Sequence, residues 1–133
     1  MRVLFADTFY FLGLLNHLDQ FAEEIRAFNK LFRGRIVTTD WVLMEVADAF
    51  ASSQIRARIQ EYISYLRTLP NWNIIEADRE LFDHALKLYN QRPDKDWSLT
   101  DCTSFIVMRE RGITDALTGD KHFEQAGFIP LFR

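Results

Sequence analysis

The segment formed by residues 96–123 constrains the fold most, because it predicts a helix followed directly by a buried strand. Ser98 is a good helix N-cap, and Asp101 three residues later can reach back to it, as in a capping box. The helix is expected to end at Gly112, since glycine adopts the left-handed closing conformation without a steric clash. A short apolar strand then leads to Asp120. In a parallel sheet, a helix start and a strand end lie at the same edge, where ligands bind.

Both acids in this segment also have ordinary structural explanations. An Asp in the first turn of a helix interacts favourably with the helix dipole, and Asp after Gly is common turn chemistry. Taken singly, Asp101 and Asp120 are both explained in this way. A functional hypothesis therefore depends on whether other carboxylates reach the same edge of the sheet.

The rest of the chain alternates short apolar runs with amphipathic helical patterns. The predicted strands cover residues 3–6, 35–38, 72–76, 116–118 and 128–131. The predicted helices cover residues 9–15, 19–32, 40–52, 53–69, 79–91, 99–111 and 121–126. This alternation predicts an α/β fold with a parallel sheet, right-handed crossovers and helices on both faces. Pro130 places the last strand at an edge of the sheet. Tyr89 is expected to be buried by the fifth helix.

Length and composition limit the class of protein. A chain of 133 residues predicts one domain, residues 1–133, with a substantial core. The single cysteine excludes an internal disulfide and indicates a reducing compartment. No apolar run approaches the ~20 residues of a membrane span, and the N-terminus does not resemble a signal peptide. We therefore expect a cytoplasmic protein without a membrane partner.

Two further acids are expected near the same edge as Asp101 and Asp120. Asp7 follows the first strand directly, although an N-cap for the next helix explains it equally well. Glu45 lies on the flank of the apolar stripe of the third helix, either as a surface residue or pointing into a cleft. Four carboxylates in one place repel one another, and bound Mg²⁺ or Mn²⁺ removes that penalty. Such sites favour hydrolysis of phosphate esters.

Other kinds of site have weaker support. Cys102 follows Asp101 inside a helix and is expected to be a small buried apolar residue. The three histidines, His17, His84 and His122, show no metal-ligand spacing and are expected to be surface or turn residues. The sequence contains neither GxGxxG nor GxxxxGK[ST], so a nucleotide cofactor is not expected.

The order and spacing of these motifs resemble the PIN-domain ribonucleases, and within them the VapC toxins of bacterial toxin–antitoxin pairs. The motifs are a first strand ending in Asp7-Thr8, a helix carrying Glu45, and the segments SLTDC and LTGDKHF. The resemblance covers essentially the whole chain. It implies a three-layer PIN-like fold, with a doubly wound parallel sheet of strand order 3-2-1-4-5, and an endoribonuclease that needs Mg²⁺ or Mn²⁺.

The resemblance also assigns roles to individual residues. It implies that metal binding and catalysis belong to Asp7, Glu45, Asp101 and Asp120. It suggests that three hydroxyl residues support these acids or the scissile phosphate, namely Thr8, Ser98 and Thr118. Helix caps and turn hydroxyls explain those three residues equally well. Asp96 is either an additional acid or a solvated loop residue.

The resemblance further predicts partners. It implies RNA as substrate, a cognate antitoxin protein, and a homodimer with an apolar surface on the first two helices or the helix at residues 53–69. PIN domains also act in RNA processing without an antitoxin, and a non-catalytic binding module of the same fold is a further alternative. A phospho-receiver is disfavoured, because Asp7 has no acidic neighbour and the last strand carries no Lys.

Net charge is −3, which argues mildly against binding a polyanion unless basic residues surround the acids. The basic residues nearest the predicted site in the sequence are Lys95 and Lys121, and Arg56 and Arg58 follow Glu45 at a greater distance. Each of the four is also explained as a solvated surface charge. Together they form the predicted RNA-binding set.

Overall fold

The computed structural model describes residues 2–133. Within these residues, five β-strands alternate with seven α-helices. Their bounds are β1 Val3–Ala6, α1 Thr8–Leu15, α2 Ala22–Leu31, β2 Arg35–Thr39, α3 Asp40–Ala49, α4 Arg56–Thr68, β3 Trp72–Ile75, α5 Arg79–Gln91, α6 Leu99–Arg111, β4 Asp115–Leu117, α7 Lys121–Gln125 and β5 Ile129–Pro130.

All strand pairs are parallel, and the strand order is β3-β2-β1-β4-β5. This order confirms the prediction. Strand β1 lies at the centre, where Phe5 pairs with Val37 on one side and Ala116 on the other. Successive side chains of a strand point to opposite faces, yet residues 4–6 are all fully buried. Helices therefore cover both faces of the sheet.

Helix α6 connects the core to the edge of the sheet that carries the acids. Its inner side buries Cys102, Phe105 and Met108 completely, as expected for Cys102. Ser98 begins the helix with the predicted capping box, and Gly112 ends it at a φ of 65°. The ring of Phe105 meets that of Phe123 nearly edge-on, with centroids 5.0 Å apart. This packing holds the middle of α6 against α7.

Several helix bounds differ from the sequence prediction for local reasons. Helix α2 begins three residues later than predicted, because the Asp19 carboxylate accepts a hydrogen bond from the Phe21 N–H and makes a turn. Residues 50–55 leave the helical conformation between α3 and α4, where Ser53 accepts a similar hydrogen bond from the Ile55 N–H. The prediction that Tyr89 is buried is wrong, since its side chain is 49% exposed near the end of α5.

None of the helices in the described part of the chain combines the length and the apolar character that a membrane span requires.

Candidate functional site

Asp7 is buried at the carboxyl end of β1, with 5% of its surface exposed. It occupies the N-cap position of α1, but its side chain makes no capping hydrogen bond. Instead, the hydroxyl of Thr118 donates to Asp7 Oδ2 at 2.9 Å. Burial raises the pKa of Asp7 to about 7, and the negative charges of Asp101 and Glu45 add to the increase. The capping explanation therefore does not account for this carboxylate.

Asp101 lies in the first turn of α6 and is also buried. Its Oδ2 accepts a hydrogen bond from the Ser98 backbone N–H at 3.1 Å and lies 3.0 Å from His122 Nδ1. Burial raises the pKa of Asp101, while the hydrogen bonds from Ser98 and His122 oppose that increase. The Asp101 carboxylate thus completes the capping box of α6 and also contacts the imidazole ring of His122.

Asp120 follows β4 and caps the short helix α7, where its Oδ1 accepts from the His122 N–H at 2.9 Å. The Asp120 N–H in turn donates to Thr118 Oγ1 at 3.1 Å. Thr118 therefore contacts both Asp7 and Asp120. This single hydroxyl links the ends of the neighbouring strands β1 and β4.

His122 corrects the prediction that all three histidines are surface or turn residues. Its side chain is only 20% exposed in the first turn of α7, with Nδ1 3.5 Å from Asp120 Oδ1. Potential ligand atoms of Asp101, Asp120 and His122 lie within 4.8 Å of one another. The sequence did contain a signal for this contact: His122 lies two residues after Asp120, the N-cap of α7, and from that position its ring can approach the Asp120 carboxylate. These three residues could hold a metal ion.

Glu45 points toward the start of α1 rather than into solvent. The hydroxyl of Thr8 donates to Glu45 Oε1 at 2.5 Å, and Glu45 is half-buried on α3. The charge of Glu45 also contributes to the raised pKa of Asp7. Of the two explanations open from the sequence, the structure disfavours the solvated surface residue, because Glu45 contacts Thr8 of α1.

The structure therefore brings the four predicted acids to one edge of the sheet; they are called the acidic cluster from here on, and consist of Asp7, Glu45, Asp101 and Asp120. Each of the three predicted hydroxyl residues contacts a member of this cluster or its backbone. Asp96 is exposed, as expected for a solvated loop residue.

The predicted basic residues take different positions. Lys121 is exposed at the first position of α7, directly after Asp120, and Lys95 is half-buried in the loop before α6. Arg56 and Arg58 are exposed on α4, and Arg56 donates to the Ala51 carbonyl at 2.9 Å. Of these four residues, only Lys121 and Lys95 lie next to segments that carry residues of the acidic cluster, namely the end of β4 and the start of α6.

The donor set of this site fits a divalent cation. Oxygen atoms dominate it, with the imidazole of His122 beside them, and hard divalent cations prefer oxygen ligands. Burial is the main cause of the raised pKa of Asp7, and the negative charges of Asp101 and Glu45 add to it, so a bound cation would favour the carboxylate form. The cluster is therefore suited to metal binding.

Comparison with known proteins gives consistent results. The PIN domain family model matches residues 4–129. The 23S rRNA-specific endonuclease VapC20 of Mycobacterium tuberculosis, from strains CDC 1551 / Oshkosh and ATCC 25618 / H37Rv, is 32% identical over 76 residues. These residues are 57% of this chain and 56% of the relative, so the match spans little more than half the length of the curated relatives.

Solved structures share the fold over a longer range. The crystal structure of M. tuberculosis VapC20, described as a Sarcin-Ricin loop cleaving toxin, superimposes with a TM-score of 0.86 at 23% identity. The superposition covers 96% of this chain and 98% of the VapC20 chain. VapBC2 from Rickettsia felis, bound to a DNA fragment from its promoter, has a TM-score of 0.64 at 14% identity, covering 96% of both chains.

Proposed function

The chain belongs to the PIN-domain family, as its motifs predicted, and on that premise we propose that it is a metal-dependent endoribonuclease that hydrolyses RNA phosphodiester bonds. The observation that carries the proposal is Asp7. It is a buried carboxylate that makes no helix-capping hydrogen bond and whose pKa is raised to about 7 by burial and by neighbouring acids. A cation-binding task explains why it is there.

We infer that the cation is Mg²⁺ or Mn²⁺, held by the acidic cluster with His122 as a further ligand or a positioning residue. Such an ion, when bound, activates water and neutralises the charge that develops on phosphate oxygens. The chain holds the ligands in place through hydroxyls and backbone groups: Thr118 orients Asp7, Ser98 orients Asp101 and Thr8 orients Glu45. Partners that fix ligand orientation in this way strengthen metal binding.

Asp7 must lose its proton when it binds a cation, because only the carboxylate is a good ligand. With a pKa of about 7, a substantial fraction of Asp7 is protonated at neutral pH in the metal-free protein. Metal binding is therefore expected to release protons and to weaken as the pH falls.

RNA is proposed as the substrate because the curated relative is named a 23S rRNA-specific endonuclease. A hairpin with the sequence of the Sarcin-Ricin loop is accordingly the first substrate to test. Total ribosomal RNA is the second, since a related nuclease can differ in the loop that it cleaves.

The purified protein is expected to cleave RNA with Mg²⁺ or Mn²⁺ and to stop when a chelator is added. Each ion should also raise the thermal midpoint of the wild type, because a ligand that binds only the folded state stabilises it. The Asp101→Asn variant should lose most of that increase. Undiminished cleavage in excess EDTA would remove the metal hypothesis, and an absent thermal shift would favour the non-catalytic binding module.

We also propose that the chain is the toxin of a toxin–antitoxin pair and forms a homodimer. Solved structures with this fold include a toxin–antitoxin complex from Klebsiella pneumoniae, at a TM-score of 0.60 and 14% identity. Leu18 and Leu31, beside and at the end of α2, and Tyr65 on α4 expose large apolar side chains on the elements predicted for the partner surface.

Sedimentation of the purified chain is expected to give a dimer, and co-expression with the small protein encoded by the neighbouring reading frame should yield a stable complex. Changing Leu18 and Leu31 together to Ser should weaken that complex while RNA cleavage is retained. A monomer well above micromolar concentration would contradict the dimer, and cleavage unaffected by the neighbouring protein would favour RNA processing without an antitoxin.

A further inference from the structure

A groove of about 840 Å³ lies between the end of α5 and the start of α6. It is called the 89–99 groove here, and Tyr89, Arg92, Lys95 and Ser98 are among the residues that line it. The backbone N–H of Ser98 donates to Asp101 Oδ2 at 3.1 Å. Ser98 therefore belongs to the lining of the groove and also contacts the acidic cluster, so one residue connects the two.

The floor of the groove is a fixed aromatic ring. Trp97 is only 4% exposed, its Nε1 donates to Gln125 Oε1 at 3.0 Å, and its ring packs edge-on against Phe105 with centroids 5.0 Å apart. The guanidinium carbon of Arg92 lies over this ring, 5.1 Å from the centroid. Trp97 thus supports the side chain of Arg92 from below.

A carboxylate holds the same guanidinium from the side. Arg92 Nε and Nη2 donate to the two oxygens of Asp94, each at 3.0 Å. A bidentate pair of this kind fixes the plane of the guanidinium as well as its position. The Arg92 side chain nevertheless remains 39% exposed. A held guanidinium plane is therefore open to solvent inside the groove.

A fixed, exposed guanidinium plane can recognise an unpaired nucleobase. RNA-binding proteins stack splayed bases on aromatic rings and on Arg planes. The half-exposed ring of Tyr89 adds a second flat surface, and Lys95 supplies a positive charge for a phosphate. Asp94 balances most of the charge of Arg92, so this side chain is expected to act by stacking rather than by attracting phosphates.

We propose that the 89–99 groove is a nucleobase subsite, in which one unpaired base of the RNA stacks on Arg92 next to the scissile phosphate. The proposal rests on the proposed function in that the ligand is RNA, but it concerns binding and not hydrolysis. An extended peptide is the alternative occupant. It is disfavoured because the groove offers a supported planar cation instead of an open row of backbone groups or a deep apolar pocket.

The test measures the binding of a fluorescein-labelled, short single-stranded RNA by anisotropy, with Ca²⁺ in place of Mg²⁺ to limit cleavage. Arg92→Ala is expected to weaken binding about tenfold, the effect of losing one stacked base. Arg92→Lys should weaken it to a similar extent, because lysine keeps the charge but has no plane. Lys87→Ala, at an exposed position of α5 outside the groove, is the matched control and should change affinity less than about twofold.

A second measurement replaces the nucleotides of the RNA one at a time by abasic residues. At one position of the RNA, the abasic residue should reduce the affinity of the wild type about tenfold. The same abasic residue should reduce the already weakened affinity of Arg92→Ala only slightly further, because the two changes remove the same stacking contact. Thermal melts establish that each variant is folded.

The outcomes separate this proposal from the proposed function. Wild-type affinity in Arg92→Lys would assign the effect to charge and overturn the base subsite. Unchanged RNA binding in all Arg92 variants would overturn it as well and leave the groove to a protein partner. If the RNA is never cleaved but the coupling to one base is found, the nuclease proposal fails while the subsite stands.

Discussion

Replacing Asp7, Asp101 or Asp120 by Asn is expected to reduce RNA cleavage more than about 100-fold while the protein remains folded. The amide keeps the size of the carboxylate but removes the negative charge that a divalent cation needs. The measurement pairs a cleavage assay with a thermal melt of each variant. If one of these variants cleaves RNA like the wild type, the acid that it replaces has only a structural role.

The structure supplies controls for this experiment. Asn is as good a helix N-cap as Asp, so Asp120→Asn should keep α7, whereas Asp120→Ala should lose about 1 kcal/mol of stability. Asp78 caps α5 by accepting a hydrogen bond from the Leu81 N–H at 2.7 Å. Asp78→Asn makes the same chemical change at an N-cap outside the cluster, and its cleavage rate should equal that of the wild type.

Asp7 adds a dependence of stability on pH, which Asp7→Asn should largely lose and the variants of the other acids should largely keep. Because the folded-state pKa of about 7 exceeds the ordinary 3.8, the folded protein binds this proton more tightly than the unfolded chain. The free energy of unfolding should therefore fall as the pH rises from about 4 to about 7, by an amount on the order of a few kcal/mol. Urea midpoints of the metal-free wild type should show this decline, and those of Asp7→Asn should largely lack it. Equal pH profiles would contradict the burial of a titrating Asp7.

Local signals made the start and end of α6 predictable. The Ser98–Asp101 capping box and the left-handed Gly112 depend on residues within three or four positions of one another, so the sequence contains the whole interaction. The strand order was predicted from the resemblance, which the motifs at Asp7, Asp101 and Asp120 carried. The two ends of α6 therefore need no knowledge of the tertiary structure, whereas the strand order depended on the resemblance.

Features that depend on distant contacts could not be predicted. Glu45 lies on the flank of its helix, and only its contact with Thr8, which precedes it by 37 positions, shows which way it points. His122 lies only two residues after Asp120, but its contact with Asp101 on α6, 21 positions earlier, does not follow from helical spacing. The exposure of Tyr89 likewise depends on the path of the following loop. In each case, helical periodicity alone leaves two directions open for the side chain.

The second large effect concerns the cations that hold the RNA. Changing the predicted basic set to Ala, namely Lys95, Lys121, Arg56 and Arg58, is expected to weaken RNA binding and to flatten its dependence on salt. Each phosphate contact with a single strand contributes about 0.7 to the slope of log K against log salt concentration, so four lost contacts would reduce the slope by about 3. Affinities measured over a range of salt concentrations give this slope directly.

The protein as a whole carries a net charge of −3, so removing four positive charges would weaken RNA binding somewhat wherever those residues lay. A control variant with the same change in charge therefore replaces exposed basic residues outside the predicted set: Lys30, Arg35, Lys87 and Arg109. Arg35 begins β2 and so lies at the edge of the sheet opposite the acidic cluster. The control variant should shift affinity slightly and leave the slope nearly unchanged.

Metal affinity provides the last distinction. None of the four predicted residues belongs to the donor set, so the thermal shift with Mn²⁺ should be the same in the quadruple variant and the wild type. A flattened salt slope with an intact metal shift would mean that RNA is attracted by cations around the cluster and cleaved by the ion within it. If the two quadruple variants have equal slopes, the cations that bind the phosphates lie elsewhere on the protein, and Lys95 makes no phosphate contact in the 89–99 groove.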